Sequence, residues 1–254
     1  MRRHGLLGAA LCALLVSLSG CAATTIPSVH SEPERLSLAQ RMMEQQRWVS
    51  AIELLKSYVQ HNGGSANVDR AHYLLGMSYL KNKDWALAES EFELTVREYP
   101  ESDSTPSASY RLGEALLSQA RPPDFDQDFT TKAIEQWHTY LETYPDHWLN
   151  AEAGKQLVLA RSRIATKLLN TAELYLKLKL PGPARVYFER VRSDYNDTLL
   201  LPQALLGLAL CDARDGRRVE AIAQLKDIES RYSGSGVTER AARERSRLER
   251  KHGS

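Results

Sequence analysis

The chain has 254 residues, with 33 lysines and arginines against 32 aspartates and glutamates and a formal charge of +1. That balance, without a basic domain or stripe, argues against a nucleic-acid binder, which needs clustered cations to neutralise phosphates. The length allows one or two domains with a real core.

Arg2, Arg3 and His4 precede a thirteen-residue apolar run from Leu6 to Leu18. These are the basic and apolar regions of an export signal, and the run is shorter than the ~20 residues a spanning helix needs. Leu18, Ser19 and Gly20 lead directly into Cys21, a tetrad that resembles the lipobox of bacterial lipoprotein precursors. The resemblance implies cleavage after residue 20, a diacylglycerol thioether on the Cys21 sulfur and an N-acyl chain on its new amino group. No other cofactor is expected. Two or more acyl chains anchor a protein stably, at ~0.8 kcal/mol per buried CH₂, so the mature chain should be held to a membrane without crossing it. Ala22 follows the cysteine where an aspartate would retain it, which in Gram-negative lipoproteins implies an outer-membrane anchor facing the periplasm.

The first twenty residues carry two arginines and no acid, so the rest balances 31 basic against 32 acidic side chains. Of the three cysteines, Cys12 leaves with the signal and Cys21 is acylated. Cys211 remains alone, so no intrachain disulfide is expected, and its apolar surroundings (ALLGLALC) predict a buried, inert thiol.

Residues 21–31 read as a lipidated tether, with AATTIPSV as its extended part. Ser31 and Glu34 form a capping-box pattern with Pro33 in the first turn, which predicts a helix start there. Beyond it an internal pattern repeats. Ala88 and Tyr99, Ala133 and Tyr144, Ala184 and Tyr195, and Ala221 and Tyr232 are all eleven residues apart. Four residues after each alanine stands a bulky apolar group, namely Phe92, Trp137, Phe188 or Leu225. Ala39, Met42, Ala51, Leu55 and Tyr58 make a weaker first copy. The key alanines at 51, 88, 133, 184 and 221 are spaced by 37, 45, 51 and 37 residues, longer than the ~34 of a tetratricopeptide repeat but with its internal pattern. The fold class expected is all-α, a tetratricopeptide-like superhelix of about five antiparallel helix pairs. Small residues such as Gly76 and Ala88 let paired helices approach, while Tyr79 and Phe92 fill the space between them. Pro100 and Pro145, directly after Tyr99 and Tyr144, stop the helices. Asp212 stands where the corresponding tyrosine would be in the last copy.

The expected organisation is repeats 1 to 3 over 32–147, a long connecting helix with repeats 4 and 5 over 148–236, and a charged capping helix over 237–254. The connecting helix is read over Trp148 to Lys179, which has no proline or strong turn signal, before Pro181, Gly182 and Pro183 break it.

Catalytic chemistry is not expected. The run Asp124 to Glu135 superficially copies a calcium-binding loop, but Phe129 occupies the position where a glycine must make the sharp turn. The seven histidines have no ligand spacing, and the sequence contains no HExxH, GxSxG or phosphate-loop motif.

An eight-residue insertion in the third repeat, with PPDFDQDFTTKAI at 122–134, then YPDHWLNAEA at 144–153 and AELYLKLKLPGPARVYFERVRSDYNDT at 172–198, together resemble the BamD family. The likeness covers roughly residues 36 to 233, with Leu180, Pro181 and Pro183 replacing that family's Gly-Ala-Tyr-like turn. The resemblance implies a non-catalytic lipoprotein of the β-barrel assembly machinery in the outer membrane. Its C-terminal repeats would dock on the central barrel subunit, and its N-terminal repeats would read unfolded outer-membrane protein precursors. Repeat geometry suggests that Arg70, Tyr73, Met77, Lys81, Tyr110, Glu114 and Leu117 line a concave peptide groove. Two alternatives use the same architecture: a repeat lipoprotein coordinating envelope division or cell-wall synthesis, which YRLGEALL at 110–117 also resembles, and one serving an export secretin.

Overall fold

The computed structural model describes residues 31–234 and 236–250, which form eleven α-helices and no strand. The export signal, Cys21 and the tether up to residue 30 lie outside the described residues. Five antiparallel pairs follow one another: α1 (Glu32–Glu44) with α2 (Trp48–His61), α3 (Val68–Asn82) with α4 (Trp85–Glu98), α5 (Thr105–Gln119) with α6 (Asp128–Thr143), α7 (Asn150–Lys177) with α8 (Pro181–Asp194), and α9 (Leu201–Arg214) with α10 (Arg218–Arg231). A last helix, α11 (Gly236–Arg250), closes the array against α10 and α9. No described helix is long and apolar enough to cross a membrane.

The first helix starts as its capping box requires: the backbone N–H of Ser31 donates to the Glu34 carboxylate at 3.3 Å, with Pro33 in the first turn. The repeated small and bulky positions form the spine of the core. Ala51, Ala88, Ala133, Ala184 and Ala221 are fully buried, as are Phe92, Trp137, Phe188 and Leu225. Each helix packs on the next in sequence, and burial of their facing stripes makes a core spread over successive pairs that no single pair could supply.

The turns inside four of the pairs are one structure repeated. Gln46, Lys83, Lys179 and Gly216 have φ of 57°, 70°, 62° and 82°, each five residues before its repeat's key alanine. In each turn the N–H one residue later donates to a carbonyl in the last turn of the preceding helix: Arg47 to Met42, Asp84 to Tyr79, Leu180 to Tyr175 and Arg217 to Asp212, at 2.8 to 3.0 Å. This left-handed termination satisfies otherwise orphaned carbonyls and reverses the chain.

The third pair departs from the pattern, because the insertion replaces this turn. Gln127, 6% exposed, ties the insertion together. Its side-chain amide donates to the carbonyls of Pro122 at 2.9 Å and Asp126 at 3.0 Å, and its oxygen accepts from Thr130 at 2.7 Å. Three side chains of α7 then grip the loop: Arg163 donates to the Arg121 carbonyl at 2.6 Å, Lys167 to the Phe125 carbonyl at 2.8 Å and Asn170 to the Asp124 carboxylate at 2.7 Å. The grip falls where the core divides. The N-terminal cluster runs from Leu36 to Ala160 and the next begins at Ala165, so α7 belongs to both and the insertion braces the join. Asp128 opens α6 and Glu135 lies within it, so this stretch is helix where a calcium loop would have to curve around an ion.

Cys211 is fully buried, and desolvation pushes its thiol up to about 11, as the apolar run around it predicts. Asp212 is also buried, only 5% exposed, and is held by Arg185 at 2.7 Å, Arg217 at 2.7 Å and Gln224 at 2.6 Å, which links α8, α9 and α10.

Candidate functional site

The first helices of successive pairs touch one another, α1 with α3, α3 with α5, α7 with α9, and so form the inner face of the superhelix. On that face a hollow of about 410 Å³ is lined by Leu80, Lys81, Glu114, Leu117, Ser118 and Gln156, contributed by α3, α5 and α7. The structure thus brings together three residues of the expected groove, Lys81, Glu114 and Leu117. Tyr73 and Met77 are half-buried beside it, with Tyr73 tilted against Phe92 at 6.1 Å, and Arg70 is exposed at the start of α3.

Tyr110 is a correction. It is only 1% exposed, and its ring packs against Tyr140 at 5.8 Å. It serves the core and not the groove. The reason is depth and height along the helix. Tyr110 lies within about 40° of Glu114 and Leu117 on α5, but it stands one to two turns nearer the helix start, where its ring is covered by Tyr140 of α6 and its hydroxyl is bonded to Glu114. Sequence reasoning missed Arg111, which pairs with Glu114, and missed Gln156 because it comes from the next repeat.

The electrostatics follow from these positions. Glu114 accepts from Arg111 Nη1 at 2.6 Å and from the Tyr110 hydroxyl at 3.0 Å. Burial, reinforced by the Glu114 charge, pushes the Tyr110 hydroxyl well above the ordinary phenol range, so it stays a donor. Arg111 lies over the Tyr110 ring at 5.1 Å, and its Nε is buried without a hydrogen-bond partner. Glu114 is therefore already neutralised, and Lys81 contributes the exposed cation at the rim. Apolar walls from Leu80 and Leu117 with Lys81, Ser118 and Gln156 around them can hold an extended chain, with the amide and the ammonium as the fixed points. No group of three or more histidine, cysteine or carboxylate side chains that could hold a metal ion occurs among the described residues.

The family model described as "YfiO: Outer membrane lipoprotein" matches residues 37–211, more than two thirds of the chain. The chain belongs to this outer membrane lipoprotein family. The match runs from α1 through most of α9 and so includes the hollow, the insertion and the long α7. A curated relative, the outer membrane protein assembly factor BamD of Vibrio cholerae serotype O1, is 25% identical over 194 residues, covering 71% of this chain and 80% of its own. Among solved structures, a thermophilic tetratricopeptide-repeat protein of Thermus thermophilus is 19% identical, covering 84% of this chain and 97% of its own with a TM-score of 0.42. The type IV pilus biogenesis factor PilW is 13% identical, with coverage of 83% and 98% and a TM-score of 0.40.

Proposed function

We propose that this lipoprotein is a non-catalytic scaffold of the outer-membrane β-barrel assembly machinery, anchored through acyl chains on Cys21 and facing the periplasm. The family match over residues 37–211 carries this reading, joined to the Vibrio cholerae assembly factor as a relative over most of both chains. The repeat architecture supports it, because stacked helix pairs offer extended binding surfaces. In this reading the C-terminal repeats hold the central barrel subunit. Unfolded precursors are read on the inner face of repeats 2 and 3, through Lys81, Leu117 and Gln156, with Arg111 and Glu114 fixing the wall.

The test is purification of the full-length acylated protein from membranes in mild detergent, with mass spectrometry of what accompanies it. Near-stoichiometric recovery of a β-barrel assembly subunit is the expected result, and Cys21→Ser should release the chain from the membrane fraction. Recovery of cell-wall or secretin components in its place would overturn the reading.

A further inference from the structure

The inner face of the last two repeats carries a second recess, of about 530 Å³, between the ends of α7 and α9 and the capping helix α11. Its walls present Lys177, Arg214, Arg218, Arg240 and Arg247. Only two carboxylates, Glu173 and Glu244, share it, at 3.7 Å from Arg240 and 3.0 Å from Arg247. Leu176, Leu210 and Leu248 give it an apolar floor. We propose that this recess binds a short acidic segment of a partner protein, with carboxylates on the arginines and an apolar side chain on the leucines.

The charge is local. Beyond the first twenty residues the chain is within one charge of neutral, yet this recess holds five cations against two anions. Arg214 donates to the Leu176 carbonyl and Arg218 to the Glu249 carbonyl at 3.2 Å, so two arginines also face the ends of α7 and α11. Each helix C-terminus contributes roughly half a negative charge, which still leaves about two positive charges uncompensated. Those two bonds also fix the guanidinium planes, each of which has five N–H groups and so keeps donors for a ligand. Planar guanidinium forks suit carboxylates, the recess lies within the ~300–1,000 Å³ typical of binding sites, and the leucine floor favours an amphipathic acidic peptide over a bare anion.

The proposal builds on the scaffold reading by giving the partner a chemistry, but its test needs only the isolated protein. Full-length acylated protein in mild detergent is titrated into a fluorescein-labelled hexapeptide alternating glutamate and leucine, read by fluorescence anisotropy at low and high salt. Lys177→Glu with Arg247→Glu should weaken binding at least tenfold. Lys56→Glu with Lys132→Glu, exposed residues far from the recess with the same charge change, should leave affinity unchanged at moderate salt. Replacing the peptide's glutamates by glutamine should abolish binding, and Lys177→Gln with Arg247→Gln covers the case in which reversal disturbs folding, checked by circular dichroism. Equal binding by the recess and control variants, or equal binding of the glutamine peptide, would each overturn the proposal. Failure of the wild-type protein to bind the peptide, together with intact co-purification of the assembly machinery, would remove the recess and leave the scaffold reading standing.

Discussion

A methyl group placed on Gly113 would lie 2.5 Å from the indole Nε1 of Trp137, which itself donates to the Tyr110 carbonyl at 3.2 Å. The largest fully buried side chain of the described residues therefore sits directly on the backbone of the neighbouring helix, and α5 and α6 approach as closely as they do because position 113 has no side chain.

Gly113→Ala forces a rigid, fully buried ring to move, and overpacking of this kind costs about 1–3 kcal/mol, more than the ~1 kcal/mol that alanine gains in helix propensity. Gly154 in α7 meets nothing within 4 Å, so Gly154→Ala should stabilise by about 0.5–1 kcal/mol. Denaturant unfolding followed by tryptophan fluorescence should show these opposite signs. An equal effect at both sites would contradict the packing assigned to Gly113.

The left-handed turns make a second prediction. Lys179 has φ 62° where the last repeat has Gly216 at 82°, and a left-handed conformation costs a non-glycine residue roughly 1–2 kcal/mol. Lys179→Gly recovers part of that against the greater freedom of glycine in the unfolded chain, for a net gain of about 0.5–1 kcal/mol and a Tm rise of a few degrees. Gly216→Ala should lower Tm.

Asp212 predicts a pH dependence. Burial works against its charged form, but hydrogen bonds from Arg217, Gln224 and Arg185 outweigh that and hold its pKa below the ordinary aspartate value. A carboxylate with a depressed folded-state pKa adds stability that is present above its unfolded pKa of ~3.9 and is lost as pH falls through the lower folded value. Asp212→Ala leaves the Arg185, Arg217 and Gln224 donors without their acceptor; because the arginines are partly exposed, the cost at pH 7 should be about 1–3 kcal/mol. The difference from wild type should shrink below about pH 4, read as urea midpoints across that range.

The brace between the two halves is testable by hydrogen exchange. Arg163→Ala removes the 2.6 Å bond to the Arg121 carbonyl, and Gln127→Ala removes the centre of the insertion. Both should speed amide exchange in residues 121–127 and around the join at 160–165 while helical content stays unchanged. Unaltered exchange there would mean the insertion does not stiffen the join.

The periodicity of alanine and bulky apolar residues was enough to read the architecture, because burial between stacked helix pairs imposes residue size at fixed helical positions. Ala88 with Phe92 and Ala133 with Trp137 show this directly. Other features were hidden for physical reasons. The left-handed residues Gln46, Lys83 and Lys179 carry no composition signal, since their geometry is set by the backbone bond to the preceding helix. The role of the insertion was hidden because Gln127, Arg163 and Lys167 bond to carbonyls, which any sequence supplies. On the inner face, Lys81 and Leu117 were legible from repeat position, whereas the burial of Tyr110 under Tyr140 of the paired helix and the pairing of Arg111 with Glu114 depend on contacts that repeat position does not fix.

The most direct test of the scaffold account is controlled depletion of this protein, with quantitative proteomics of the outer membrane. A broad fall in β-barrel proteins, with outer-membrane lipoproteins at normal levels, is the predicted result. Normal barrel levels accompanied by a division or export defect would contradict the account.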